Sequence, residues 1–472
     1  MNWHNLKKFS VSILFCALSF YLVNLSFWAI LPEGRLRMPG YFALNLLDIA
    51  IYFALFLLVF CLVSYSKINK FLVNLLVSFA LVTIFLINFY HIYTPTLVFD
   101  SVKRGSNSFT EIAQSLNAAN VSNKKFLHNF ENSIMQDRVF KTDKTEVAVK
   151  AQSPSSHPPA PILLIRYFLK HPWNLNQDIS AKDADANGYY SLAIVILALA
   201  ALIPVFVYLL VSNLSDSKIG ALAAFSSLGL VQLYAYPSFF DVANASLIML
   251  TLLLLLTAKN RPWLVLLAGS VAAINLAFSF GALVPTAFIF AGVALYNYRS
   301  LKDILIRAVI FIIPILILLK AYALNGFNYI NGFLLAGRNL DIDYNYLYEY
   351  RRSLHLNTTE LTANLNYLNL TILLIALGIG VYGLIKKKKA GIFAVSFSLL
   401  IALLVLSGKT RYEMARTAMY IYPLLVASSF IFWQKMQKFF NYPIVLFSVY
   451  ASSIWLLYML FKECVFYIFL TY

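Results

Sequence analysis

Long apolar runs separated by short basic turns make up most of this chain, and two polar intervals break that rhythm. A helix needs about 20 apolar residues to cross the hydrocarbon of a bilayer, and on that measure about thirteen crossings are predicted. They lie near 10–31, 41–65, 72–95, 186–211, 219–236, 243–257, 263–279, 281–297, 303–321, 366–385, 390–407, 415–433 and 442–461. The stretch from Trp263 to Tyr298 is too long for one crossing, and Gly281 and Pro285 predict where it breaks. The first run is too long for the core of a signal peptide and no small-residue cleavage site follows it, so it reads as a retained span.

The chain is therefore expected to be an all-α polytopic membrane protein with a large external loop that holds short interfacial helices. Its segments are 1–95, with three spans; 96–185, the first large external loop; 186–321, a central bundle; 322–365, a second external loop; and 366–472, the C-terminal helices. With the N-terminus inside, the cytoplasmic turns contain Lys67 and Lys70, Lys218, Lys259 and Arg261, Arg299 and Lys302, Lys386 to Lys389, and Lys435 and Lys438. All are basic, as positive-inside sorting requires. The same parity puts the polar intervals and the turn from Pro237 to Asp241 on the outside.

Within the first loop, residues 99–116 read as a short helix, with Ser108 or Thr110 as a capping-type residue ahead of Ile112, Ala113 and Leu116. Residues 117–156, rich in Asn, Lys, Gln and Ser, read as a mobile or variable stretch. Pro161 to Leu169 is apolar and too short to cross, which predicts a helix lying in the membrane interface.

Composition supports the class and removes others. The 472 residues are 61% hydrophobic and 12% charged, outside the balance of a soluble domain. A net charge of +17 would suggest nucleic acid in a soluble protein, but here the Lys and Arg residues sit at span ends, where sidedness explains them. Cys16, Cys61 and Cys464 lie in apolar stretches without C-x-x-C spacing, so they point to neither a disulfide framework nor a zinc site.

Candidate chemistry gathers on the external side. Asp100 follows the third span and either caps a helix, pairs with Lys103 or Arg104, or serves a site at the mouth of the bundle. Asp241, in Tyr236-Pro-Ser-Phe-Phe-Asp241, is a candidate N-cap or site carboxylate. Glu413 lies among Lys409, Arg411 and Arg416, and those guanidinium groups suit a phosphate or pyrophosphate; Arg338, Arg351 and Arg352 are rivals for it. His157 precedes Pro158 and Pro159 in a turn those prolines stiffen. Asp48, inside the second span, is the one carboxylate that would suit a proton or ion path.

The order Asp100, Glu111-Ile-Ala-Gln-Ser-Leu116 and His157-Pro-Pro-Ala-Pro161 before an apolar segment resembles the first external loop of GT-C glycosyltransferases. Protein mannosyltransferases and the aminoarabinose transferase of lipid A belong to that group. Pro237-Ser-Phe-Phe-Asp241 and Gly408-Lys-Thr-Arg-Tyr-Glu-Met-Ala-Arg416, with Pro423 beyond, fit the same likeness.

The resemblance implies inverting transfer of a sugar from a polyprenyl-phosphate donor to a glycan, lipid or protein acceptor. The reaction would take place on the extracytoplasmic face of the plasma membrane. It makes Asp100 the carboxylate that orients or deprotonates the acceptor, with Glu33 competing because three spans rather than one precede the loop. Arg411 and Arg416 would neutralise the leaving phosphate with Glu413 beside them, Asp241 would aid acceptor or metal binding, and His157 would shape the loop against the carrier. The resemblance fixes no cofactor, and a divalent cation stays open. The rival readings are a transporter or flippase of a lipid-linked substrate, a polymerase or ligase of envelope glycans, and a non-catalytic scaffold.

Overall fold

A computed structural model describes residues 3–30, 46–65, 69–92, 107–140, 149–150, 154–173, 185–230, 232–235, 240–298, 300–343, 346–389, 391–407 and 419–463. Its helices are α1 (Trp3–Ile30), α2 (Leu46–Tyr65), α3 (Lys70–Ile92), α4 (Asn107–Ala118), α5 (Asn123–Asn129), α6 (Ala160–Lys170), α7 (Ala186–Leu214), α8 (Ser217–Leu228), α9 (Gln232–Ala235) and α10 (Phe240–Thr257). They continue as α11 (Pro262–Phe278), α12 (Leu283–Asn297), α13 (Leu301–Leu324), α14 (Tyr329–Asp343), α15 (Tyr346–Ile385), α16 (Gly391–Ser407), α17 (Ile421–Ser428), α18 (Phe430–Met436) and α19 (Tyr442–Glu463). A π-helical turn at Phe130–Gln136 extends α5, and Val139–Phe140 pairs antiparallel with Val149–Lys150.

Among the described residues nine helices are long and apolar enough to cross a membrane. The chain is a multi-pass helical membrane protein. Pro262–Phe278 and Gly391–Leu406 are apolar but shorter. Among the described residues, the expected crossings at 219–236 and 415–433 hold shorter helices: α8, of 12 residues, with α9, of 4, and α17 and α18, of 8 and 7. The long apolar run does break at Phe280–Ala282, a single 3-10 turn between α11 and α12.

Two compact units emerge, each assembled from separate stretches of chain: 1–94, 200–237 and 354–472 form the first, and 95–199 and 238–353 the second. In the first unit, Ser12, Ser19 and Ser26 recur every seventh residue of α1, all buried and bonded to carbonyls four residues back. Such small residues let helices approach closely, and α19 lies against α1.

Basic turns share one end of this unit. The Asn441 N–H donates to Ser12 near the Lys7–Lys8 start of α1, the Tyr442 hydroxyl donates to the Lys218 carbonyl, and Tyr208 donates to Asn74 just beyond Lys70. At the opposite end the Tyr367 N–H donates to Ser26. There α15 breaks at Asn366, a non-glycine residue at φ 52°, whose own amide reaches the Gly229 carbonyl.

The second unit, taken by itself, also has a basic end. Arg307 donates to the carbonyls of Ala258 and Lys259, and Asn297 to those of Leu255 and Leu256, so the end of α10, the end of α12 and the start of α13 meet at a basic end. At the other end the Tyr329 hydroxyl donates to the Leu276 carbonyl at 2.7 Å, joining α14 to the last turn of α11.

Candidate functional site

At its non-basic end the second unit carries a polar layer, built from both of the intervals that interrupt the apolar pattern. Helix α4 packs on α6, and Arg166 of α6 locks them: its guanidinium donates to the Asn117 side chain at 3.0 Å, the Asn123 side chain at 2.7 Å, and the carbonyls of Leu116 and Val121. Arg166 is buried among neutral acceptors, and burial lowers its pKa from the ordinary guanidinium value without discharging it.

The second interval joins the first. Asn339 of α14 donates to the carbonyls of Met135 and Ser155, Asn331 bonds Glu131, and Gly326, at φ +88°, leaves no room for a side chain against His128. At the foot of α7, Gln114 donates to the Asp185 carboxylate at 2.6 Å.

One sequence expectation changes here. Residues 123–136 are helical, because Phe126, Leu127, Phe130, Ile134 and Met135 recur at helical spacing and are buried. Helix α6 buries Pro161, Ile162, Ile165 and Phe168, so much of its apolar face packs inside the protein. His157 stands just before α6, half-buried, with its ring edge-to-face on Phe109 at 5.4 Å and Nδ1 3.2 Å from the Ser156 hydroxyl. That setting suits a residue that shapes a turn.

Asp241 is the second residue of α10, where a carboxylate meets the positive end of the helix dipole, and it is half-buried. Below it lies a feature the sequence reading missed. Phe240 and Phe278 stack at 5.8 Å across the antiparallel pair α10 and α11, which fixes their register. One turn further in on each helix are Asn244 and Asn275, 5% and 1% exposed. The Asn244 amide oxygen and both polar atoms of the Asn275 amide are buried without a hydrogen-bond partner. Burying such groups costs free energy, so their retention points to a role. Their signal was present in the sequence, as amides inside otherwise apolar runs, Val242-Ala-Asn-Ala245 and Ala273-Ile-Asn-Leu276. Asp241, three residues from Asn244, extends the strip towards the layer. A carboxylate and two neutral amides under an aromatic pair can exchange hydrogen bonds with hydroxyl groups.

The first unit holds a separate buried polar chain. Asp48, in the first turn of α2, is 7% exposed and lies one helical turn from Tyr52. The Tyr52 hydroxyl donates to Asn88 at 2.5 Å, the Asn88 amide donates to the Tyr234 hydroxyl at 3.2 Å, and Tyr450 donates to the Tyr52 carbonyl at 3.3 Å.

Of the remaining sequence-predicted residues, Asp100, Glu33, Arg411, Glu413 and Arg416 lie outside the described residues. Among the described residues no three His, Cys, Asp or Glu side chains come together as a metal site. No family model, curated protein or solved structure matches the chain.

Proposed function

We propose that the chain is a membrane glycosyltransferase of the GT-C type, moving a sugar from a polyprenyl-phosphate donor to an acceptor on the extracytoplasmic face, with inversion. The observation that carries the reading is the single layer made from two polar intervals some 200 residues apart, joined by Tyr329 to the helix end where Asp241, Asn244 and Asn275 lie. A roofed strip of carboxylate and amides at a membrane boundary suits a substrate with a sugar at one end and a lipid at the other. A basic end of this kind faces the cytoplasm under positive-inside sorting. Counting α11 and α16 as short crossings, with 219–236 and 415–433 supplying one each, brings the total to thirteen.

In this mechanism the acceptor hydroxyl oxygen attacks the anomeric carbon while the bond from that carbon to the phosphate oxygen breaks. Asp100 takes the hydroxyl proton. Arg411 and Arg416, with Glu413 beside them in sequence, neutralise the phosphate that leaves with the bond pair. Asp241 and the two asparagines bind hydroxyls of the sugar or acceptor.

The test is turnover of a radiolabelled polyprenyl-phosphate sugar by purified protein in nanodiscs. Wild type should release polyprenyl phosphate, and Asp100→Asn should lower turnover by about 10²-fold or more while still binding donor. Arg416→Ala should weaken donor affinity; unchanged affinity removes it from the phosphate site. The rival reading, a transporter of a lipid-linked substrate, draws support from Asp48 buried beside Tyr52 in the bundle. In liposomes, movement of the donor between leaflets with no bond cleavage would favour it and overturn the enzyme.

A further inference from the structure

Helix α14 has two unlike faces. Tyr329, Gly332, Ala336 and Asn339 are buried and hold it to the polar layer. A second stripe at the same helical period points away: Ile330 and Leu334 are 65% and 64% exposed, Phe333 is 38% exposed, and Arg338, one turn beyond Leu334, is exposed too. A methyl group added at Gly337, on this stripe, would meet nothing within 4 Å.

The level of the stripe is fixed by neighbours. Tyr329 bonds the last turn of α11, and Phe333 lies edge-on to Phe280, in the turn between α11 and α12, at 6.0 Å. The stripe therefore starts where the apolar helices end. It also continues the surface of α13, where only Phe311 and Tyr322 are buried and Leu316, Ile317 and Leu324 are more than half exposed. Lys320, exposed near the end of α13, is placed to extend its ammonium to the headgroups.

We propose that α14 is embedded by this stripe in the leaflet beneath the polar layer, and that Arg338 binds the phosphate of an anionic phospholipid there. An exposed apolar stripe continuous with a spanning helix calls for acyl chains. A guanidinium at the end of that stripe, at headgroup depth, matches phosphate oxygens in charge and geometry. The inference needs only the membrane reading and stands apart from the glycosyltransferase proposal.

Two measurements on full-length protein test it. Nitroxide labels at Leu334 and, as a control, at exposed Asn328 are introduced into a cysteine-free variant in nanodiscs. At Leu334 the label should be accessible to oxygen and shielded from a water-soluble nickel chelate, and at Asn328 the reverse. Chelate access at Leu334 would mean that water covers the stripe; shielding from both reagents would mean that protein covers it. Either result overturns the proposal.

Short-chain phosphatidylglycerol and phosphatidylcholine are then titrated into detergent-solubilised protein. Arg338→Gln should weaken phosphatidylglycerol binding roughly five-fold and leave phosphatidylcholine binding unchanged, in keeping with one basic residue at an anionic surface. Millimolar inorganic phosphate should not compete. An unaltered phosphatidylglycerol affinity in Arg338→Gln, or displacement of that lipid by inorganic phosphate, would reject Arg338 as a lipid-phosphate ligand.

Discussion

Arg166 and Asn275 are both buried polar residues, and they should respond to substitution in opposite ways. The amide and carbonyl oxygens that accept from Arg166 are neutral, and removing the guanidinium leaves Asn117, Asn123 and the Val121 carbonyl short of a donor. Arg166→Met should therefore cost on the order of 3 kcal/mol and lower the melting temperature in detergent. Arg166→Lys should recover little, because one ammonium cannot reproduce a planar fork spread over α4, α5 and α6. Asn275 already lacks partners for both polar atoms of its amide. Asn275→Leu should then raise stability by about 1 kcal/mol, since it relieves an unpaired buried amide. Under the proposed function the same variant should lose sugar turnover. A variant both less stable and fully active would mean that the asparagine serves packing alone.

Elements hold their places through a few close contacts, and these set the predictions at this scale. Gly188 lets α7 run beside α6: a methyl group there would stand 2.9 Å from the Phe168 carbonyl oxygen. Gly188→Ala should push the two helices apart at a cost of about 1–3 kcal/mol, read as a lower melting temperature. Tyr329 joins α14 to α11, and burial raises its phenol pKa above the ordinary value of 10.0. Its contribution is complete below that value and fades above it, because the unfolded phenol ionises while the folded one stays protonated. Each pH unit above 10 should cost wild type up to about 1.4 kcal/mol more than Tyr329→Phe, as seen in paired melting curves. Parallel curves across pH 8–11 would contradict this.

Elements with one dominant periodicity were legible from sequence: the long apolar helices, the break at Phe280, and a short helix, which runs over 107–118 with Ser108 and Thr110 inside it rather than capping it. Residues 123–136 were not, because five apolar positions there are diluted by Asn, Lys and Ser. The roles of α6 and α14 were not legible either. Each is amphipathic, and only tertiary packing decides which one spends its apolar face inside the protein and which keeps it outside.

For the whole molecule, the question that remains legible in sequence yet undecided by length is whether α11 crosses the membrane. Its 17 residues span about 25 Å, less than the ~30 Å of a typical hydrocarbon core. Length alone would leave it out of the count. Its ends argue otherwise: Pro262 follows the basic turn to which Arg307 bonds, and Leu276 is held by Tyr329 of the polar layer. A helix fixed between the two ends of its unit must traverse it, and a shortfall of a few ångströms is met by local thinning of the bilayer. The consequence is a parity that labelling can read. If α11 crosses, Lys302 lies on the face opposite the layer residues Lys124 and Asn328; if it does not, α12 starts on the wrong side, Lys302 moves to the face of Lys124, and α13 carries Asn328 to the other face, away from the layer it bonds. Single cysteines at these three exposed positions, in a cysteine-free background and right-side-out vesicles, would be treated with an impermeant maleimide. Positions 124 and 328 should label in intact vesicles, and 302 only after permeabilisation. Labelling of 302 from outside would remove α11 from the crossings, and with it the common face on which the polar layer, Asp241 and the proposed lipid-linked substrate have to meet.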